Sequence, residues 1–239
     1  MKIRKNHVHL FVLLFAVSSL LVHSPPQAFA EEEGVIATIT VGEVPSSIAF
    51  DSENNRMYVT NYIDDTVSVI DTATYSIIAT VSIGNTPNGI AFDSENNRMY
   101  YSLGNSLADI SKRIRFIDTA DHSVSANIAT AEPIAYGIAF DPVNNRMYVV
   151  NWNAVECCTP DNSSVSVINT ATNRLIANIP VGDYSYDIAF DSENNRMYVT
   201  NYSDNTVSVI STATNSVIAT VSVGAVSYTH LTLPTILLV

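Results

Sequence analysis

The segment Ile48–Tyr58, reading IAFDSENNRMY, recurs at Ile90–Tyr100 and Ile188–Tyr198, and with Pro142 and Val143 substituted at Ile138–Tyr148. A chain that repeats itself at this spacing is built from stacked copies of one supersecondary unit. The repeat therefore limits the fold before any single residue is weighed. It also divides the chain functionally: what stays constant between copies is scaffold, and what differs is where a site can sit.

Phe50, Phe92, Phe140 and Phe190 mark the register, spaced by 42, 48 and 50 residues. Each unit reads as four short strands, A to D, exemplified by Ser47–Phe50, Arg56–Asn61, Thr66–Ile70 and Ser76–Ile83. They are rich in Val, Ile, Tyr and Thr. Turn chemistry separates them: Asp-x-x-Asn-Asn before strand B, and Asp71-Thr72-Ala73-Thr74 before strand D. Along strand B, Met57 and Val59 share one face, and Arg56, Tyr58 and Thr60 the other. No segment sustains a helical period, so the expected class is all-β. Four strands in about 40–45 residues is the size of a β-propeller blade. The rival, an open solenoid, typically has shorter rungs.

Tyr58-Val59-Thr60-Asn61 and Tyr198-Val199-Thr200-Asn201 spell the signature of the YVTN-repeat β-propellers, and the chain resembles that family from about Gly34 to Gly224. Tyr148-Val149-Val150-Asn151 is a near copy and Tyr100-Tyr101-Ser102-Leu103 a degenerate one. The resemblance implies a ring, typically seven-bladed, closed by an N-terminal strand that completes the last blade. Val35–Val41 matches a D strand with no A, B or C strand before it. Four full units then follow, so the expectation is four complete blades, an orphan N-terminal strand and an incomplete ring. Such an arc would self-associate through its open blade edges.

The two ends read differently from the repeats. Residues 1–30 carry Lys2, Arg4 and Lys5, an apolar run Leu10–Val22, and Ala28-Phe29-Ala30. That order is the pattern of a cleaved export signal, with an uncleaved anchor as the alternative. It predicts an exported chain, extracellular, at the cell surface or periplasmic, with no membrane span after cleavage. Residues 225–239 share no register with the repeats, and Val226–Leu231 resembles one reading frame of a sequencing-library adapter. They are read as an artefactual tail on a truncated array, with a genuine C-terminal strand as the alternative.

All 23 acidic residues lie beyond Ala30, against eight of the 11 basic ones, so that portion carries a net charge of −15. A surface of that sign repels the nucleic-acid backbone, which excludes nucleic acid as a partner.

In a propeller the A–B and C–D turns share one rim, and the D–A and B–C loops the other. The first set is nearly constant here. The second varies in length (Leu103–Arg113, Trp152–Ser164) and in composition (Glu43–Ser46, Asn85–Asn88, Glu132–Tyr136, Asp183–Tyr186). Variation on one rim over a constant frame is what a binding face requires, though neutral drift of surface loops would also produce it. The candidate binding residues on that rim are Tyr62, Asp64, Asp65, Tyr136, Trp152, Tyr184, Tyr186, Asp187, Tyr202 and Asp204. The aromatics suit a protein or glycan ligand. Asp64, Asp65, Asp187 and Asp204 supply the oxygens a Ca²⁺ ion would need, or are simply solvated.

Asp51, Asp93, Asp141 and Asp191 are read as turn residues rather than metal ligands, with Arg56, Arg98, Arg146 and Arg196 as partners of neighbouring carboxylates. Cys157-Cys158 leaves three readings open: a vicinal disulfide, disulfides to cysteines of blades missing from the truncated array, or two free thiols. Asn162 and Asn201 head glycosylation sequons. Histidine is sparse outside residues 1–30: only His122, in a C–D turn, and His230 in the tail. No Ser-His or Cys-His pair assembles on the variable rim, and no catalytic residue is assigned. The function expected is non-enzymatic binding. The alternatives are a lactonase- or lyase-type propeller enzyme, and an accessory subunit of an exported redox system.

Overall fold

A computed structural model describes residues 34–84, 86–104, 114–125, 128–131, 134–152 and 163–224. The chain divides into two units, residues 1–36 and 37–239, and all the strands lie in the second. Blade 1 is β1 (Pro45–Asp51), β2 (Arg56–Asn61), β3 (Thr66–Asp71) and β4 (Ser76–Ser82). Blade 2 is β5 (Pro87–Asp93), β6 (Arg98–Leu103) and β7 (Ile114–Asp118). Blade 3 is β8 (Ile134–Asp141), β9 (Arg146–Trp152), β10 (Ser164–Asn169) and β11 (Arg174–Pro180). Blade 4 is β12 (Ser185–Asp191), β13 (Arg196–Asn201), β14 (Thr206–Ser211) and β15 (Ser216–Ser222). Every pairing is antiparallel between strands consecutive in sequence. The first strands β1, β5, β8 and β12 lie side by side in that order, and the row does not close into a ring.

One expectation needs correction. Residues 34–41 form no strand. A D strand exists by pairing with the C strand of its own blade, as β4 does with β3, and this segment has no such neighbour among the described residues. Among the described residues blade 2 has three strands, and its D position is marked by the antiparallel bridges Ile114↔Ile128 and Ile117↔Val124. There the Ser125 hydroxyl accepts the Phe116 N–H at 2.9 Å, a bond a ladder carbonyl would otherwise take.

Local chemistry explains why the repeat residues recur. Asp51 is fully buried; its Oδ1 accepts the N–H groups of Glu53 and Asn54, and its Oδ2 the Asn54 amide. Asp93, Asp141 and Asp191 make the same three bonds in their own blades. This is the turn role expected of them. The turn ends on Asn55, Asn97, Asn145 or Asn195, each at φ between 52° and 54°, a left-handed conformation that Asn tolerates well. The Asn of the YVTN signature stitches strand B to strand C. Asn61 donates to the hydroxyls of Thr66 and Ser68, and Asn201 to those of Thr206 and Ser208.

The core lies between blades. One cluster joins Tyr58, Val67 and Val69 of blade 1 to Ile90, Met99 and Ile117 of blade 2. Equivalent clusters join blade 2 to blade 3 and blade 3 to blade 4. Each joint is locked at the constant rim by a clamp that reaches into the next blade. Arg56 Nη1 donates to the Thr119 carbonyl at 3.0 Å, Arg98 to Thr170 at 3.1 Å, and Arg146 to Thr212 at 2.8 Å. Beside each, Asn54, Asn96 or Asn144 donates to the same threonine's hydroxyl. The expectation that these arginines pair with neighbouring carboxylates is thus corrected. The carboxylates are consumed by their own turns, and the guanidinium instead satisfies a buried carbonyl across the joint.

Candidate ligand-binding rim

On the opposite rim, each first strand begins with an irregularity. The pairing register shifts at Pro45/Ser47, Pro87/Ile90, Ala135/Ile138 and Ser185/Ile188. The dipeptides at these bulges are Ser46-Ser47, Asn88-Gly89, Tyr136-Gly137 and Tyr186-Asp187, the same repeat position filled differently in each blade. Together they line a cavity of about 90 Å³ where the first strands converge. A bulge takes backbone groups out of the ladder and bends its strand, and here side chains absorb them. Ser47 N–H donates to Thr60 Oγ1 at 2.9 Å, Gly89 N–H to Ser102 Oγ at 2.8 Å, and Asp187 N–H to Thr200 Oγ1 at 3.1 Å. The Thr of the YVTN signature is therefore the bulge cap.

Neighbouring bulges are tied to one another. Ser46 Oγ donates to the Pro87 carbonyl at 3.0 Å, Ser102 Oγ to the Tyr136 carbonyl at 2.5 Å, and Asn88 Nδ2 to the Ala135 carbonyl at 3.3 Å. A Cβ on Gly89 would fall 2.5 Å from the Tyr136 carbonyl oxygen, and one on Gly137 2.8 Å from the Asp187 Cα. Only glycine permits blades 2, 3 and 4 to converge this closely.

Four of the expected rim residues form one aromatic group. The Tyr136 and Tyr186 rings stack with centroids 5.0 Å apart; Tyr136 and Trp152 lie at 5.9 Å, and Trp152 and Tyr184 at 4.9 Å. Tyr184 and Tyr186 are 41% and 49% exposed, so the group presents ring surface to solvent at the edge of the cavity. The Trp152 indole N–H is buried and has no acceptor among the described residues.

The remaining expected residues have other surroundings. Tyr202 is exposed and tied to the group through its backbone, donating its N–H to the Tyr184 carbonyl at 3.0 Å. Asp187 contributes to the cavity lining, while its Oδ1 accepts the Ile188 N–H at 2.9 Å. Asp64 and Asp204 brace B–C turns against D–A loops, accepting from the N–H of Glu43 and Asp183. Asp65 accepts the Thr86 N–H at 2.6 Å. Tyr62 is half-buried in blade 1, its N–H on the Val44 carbonyl. Asp64 and Asp65 share one turn, Asp204 lies in another and Asp187 on β12, and no group of three His, Cys, Asp or Glu among the described residues is placed to hold a metal ion.

Asn201 is a correction. It is fully buried with its amide nitrogen bonded to two hydroxyls, so the folded blade does not offer it for glycosylation. Asn162, Cys157, Cys158 and the residue 1–30 and 225–239 readings lie outside the described residues. Ser47, Gly89 and Gly137 were not singled out from sequence. Aligning the units on their Phe markers would have found them, because the dipeptide four and three residues before each Phe differs in every blade.

Sheets of consecutive antiparallel strands, packed face to face around converging first strands, define a β-propeller. No protein-family model and no curated protein matches the chain. Among solved structures it is similar to hydrazine synthase of Kuenenia stuttgartiensis, with a TM-score of 0.63 and 16% identity over 77% of this chain and 50% of that one. The chain thus spans half the length of that neighbour. Solved chains that match number 1188, so the likeness identifies a widely used scaffold and carries no activity with it. Among the described residues no helix is long and apolar enough to cross a membrane.

Proposed function

We propose that this chain is an exported, non-enzymatic propeller of the YVTN-repeat type that binds a protein or glycan ligand at the cell surface or in the envelope. The observation that carries this reading is the aromatic group Tyr136, Tyr186, Trp152 and Tyr184 beside the cavity. Large, partly exposed rings offer contact area at low conformational cost, and they are the residue types on which binding energy concentrates. Cavity-lining Asp187 and Asn88 place polar groups beside those rings, the combination that orients a ligand having both apolar faces and hydroxyl or amide edges. Export is supported by the order of charge, apolar run and small residues in 1–30.

Trp152 is the single tryptophan of the chain, so its emission reports on the site alone. Titration with a panel of soluble oligosaccharides and envelope peptides should shift that emission for at least one member. Tyr186→Ala should weaken the response about 10-fold or more, the scale of a hot-spot side chain. A panel without any response, or a response Tyr186→Ala leaves intact, would count against the reading.

A further inference from the structure

Each joint in the array is asymmetric. One blade offers a leading face bearing the YVTN tyrosine, and the next receives it on a trailing face bearing the strand-A Ile and Phe. In the first joint the leading face supplies Ala49, Tyr58, Val67, Val69, Ala79 and Val81. In the third the trailing face supplies Ile188, Phe190, Met197, Val199 and Ile210.

Both residue sets occur a second time, without a partner among the described residues. The leading face of blade 4 carries Ala189, Tyr198, Val207, Val209, Ala219 and Val221, each identical to its counterpart in blade 1, and Val223 in place of the buried Ile83. The trailing face of blade 1 carries Ile48, Phe50, Met57, Val59 and Ile70, identical to that of blade 4. Ile48 is 58% exposed, whereas its counterparts Ile90, Ile138 and Ile188 are 6%, 8% and 5% exposed; Val221 is 49% exposed against 9% for Val81.

The clamp repeats the same complementarity. Arg196 and Asn194 are exposed and, among the described residues, lack the cross-blade acceptors that Arg56, Arg98 and Arg146 possess. Thr72 is only half-buried, whereas Thr119, Thr170 and Thr212, each gripped by a preceding blade, are fully buried. Blade 4 therefore holds the donor half of a clamp, and blade 1 the matching acceptor half.

We infer that a second copy of this chain covers both faces, blade 4 of each copy docking head-to-tail on blade 1 of the other. The joint it forms reuses residue sets that already pack together in the first and third joints. Besides Val223 for Ile83, one further position differs: Tyr75 stands where His122, Asn173 and Asn215 meet the incoming tyrosine, so Tyr198 packs on an aromatic ring, as Tyr58 does on His122. A head-to-tail contact that closes gives a ring. The described blades of two copies number eight, within the range of propellers. The pair also surrounds the axial cavity with bulge dipeptides from both copies.

Sedimentation velocity on the full chain should give twice the single-chain mass at micromolar concentration. Ile48→Asp blocks only the blade 1 face, and Val221→Asp only the blade 4 face; both side chains are half exposed in the single chain, so the fold should tolerate them. Each variant alone should sediment with reduced mass and weakened association. An equal mixture should recover a dimer, because the remaining intact faces are one of each kind. A wild-type chain of single-copy mass at every concentration overturns the inference. So does a variant that dimerises undiminished by itself, since that requires a face-to-face contact.

Discussion

Tyr58, Tyr100 and Tyr148 occupy one repeat position, all fully buried, yet their hydroxyls fare differently. Tyr100 donates to Asn173 Oδ1 at 2.6 Å and Tyr148 to Asn215 Oδ1 at 2.8 Å. His122 stands in that place opposite Tyr58, whose hydroxyl has no acceptor among the described residues. His122 also sits at φ 61°, where Asn is better tolerated. His122→Asn should therefore raise stability by about 1 kcal/mol in urea melts at neutral pH. Burial, and then the Arg56 guanidinium, hold the imidazole below its ordinary value of 6.5. A group depressed in the fold stabilises it above the unfolded value and loses that contribution as pH falls. The gain from His122→Asn should thus grow when the melts are repeated at pH 5. None of this was legible beforehand, because the three-dimensional neighbour of Tyr58 lies in another blade.

At the scale of elements, the turn aspartates do more than close their own hairpins: they fix the strand entry from which the clamp arginine reaches across the joint. Asp93 is fully buried, while Asp191 makes the same bonds half exposed. Asp93→Ala should cost about 3 kcal/mol, the loss of several bonds to a buried carboxylate, and Asp191→Ala clearly less. Paired urea melts of the two variants check the difference. The strands and turns were legible because alternation and Asp-x-x-Asn-Asn are local signals. At the D position of blade 2, Ser125 replaces a ladder bond with a side-chain bond that hydrophobic alternation does not reveal. The candidate rim was legible in part. Aromatic content pointed to Tyr136, Trp152, Tyr184 and Tyr186, but small residues such as Gly89 and Gly137 acquire meaning only when blades meet.

Over the whole molecule, stability rests on joints filled by tyrosines that must stay protonated. Burial pushes Tyr100 and Tyr101 up to about 12 from an ordinary 10.0. For groups raised in the fold, stability is intact below the unfolded value and drains away as pH rises towards the folded one. Thermal melts should therefore hold steady to about pH 9 and fall between pH 10 and 12, tyrosinate absorbance rising together with unfolding. The clamps stand on the rim opposite the bulge dipeptides, so the residues that join the blades and the residues of the proposed binding rim are almost entirely separate. That separation makes the dipeptides evolvable. Ser-Ser, Asn-Gly, Tyr-Gly and Tyr-Asp already occupy equivalent sites on nearly identical frames, so these positions can change without the architecture having to be rebuilt.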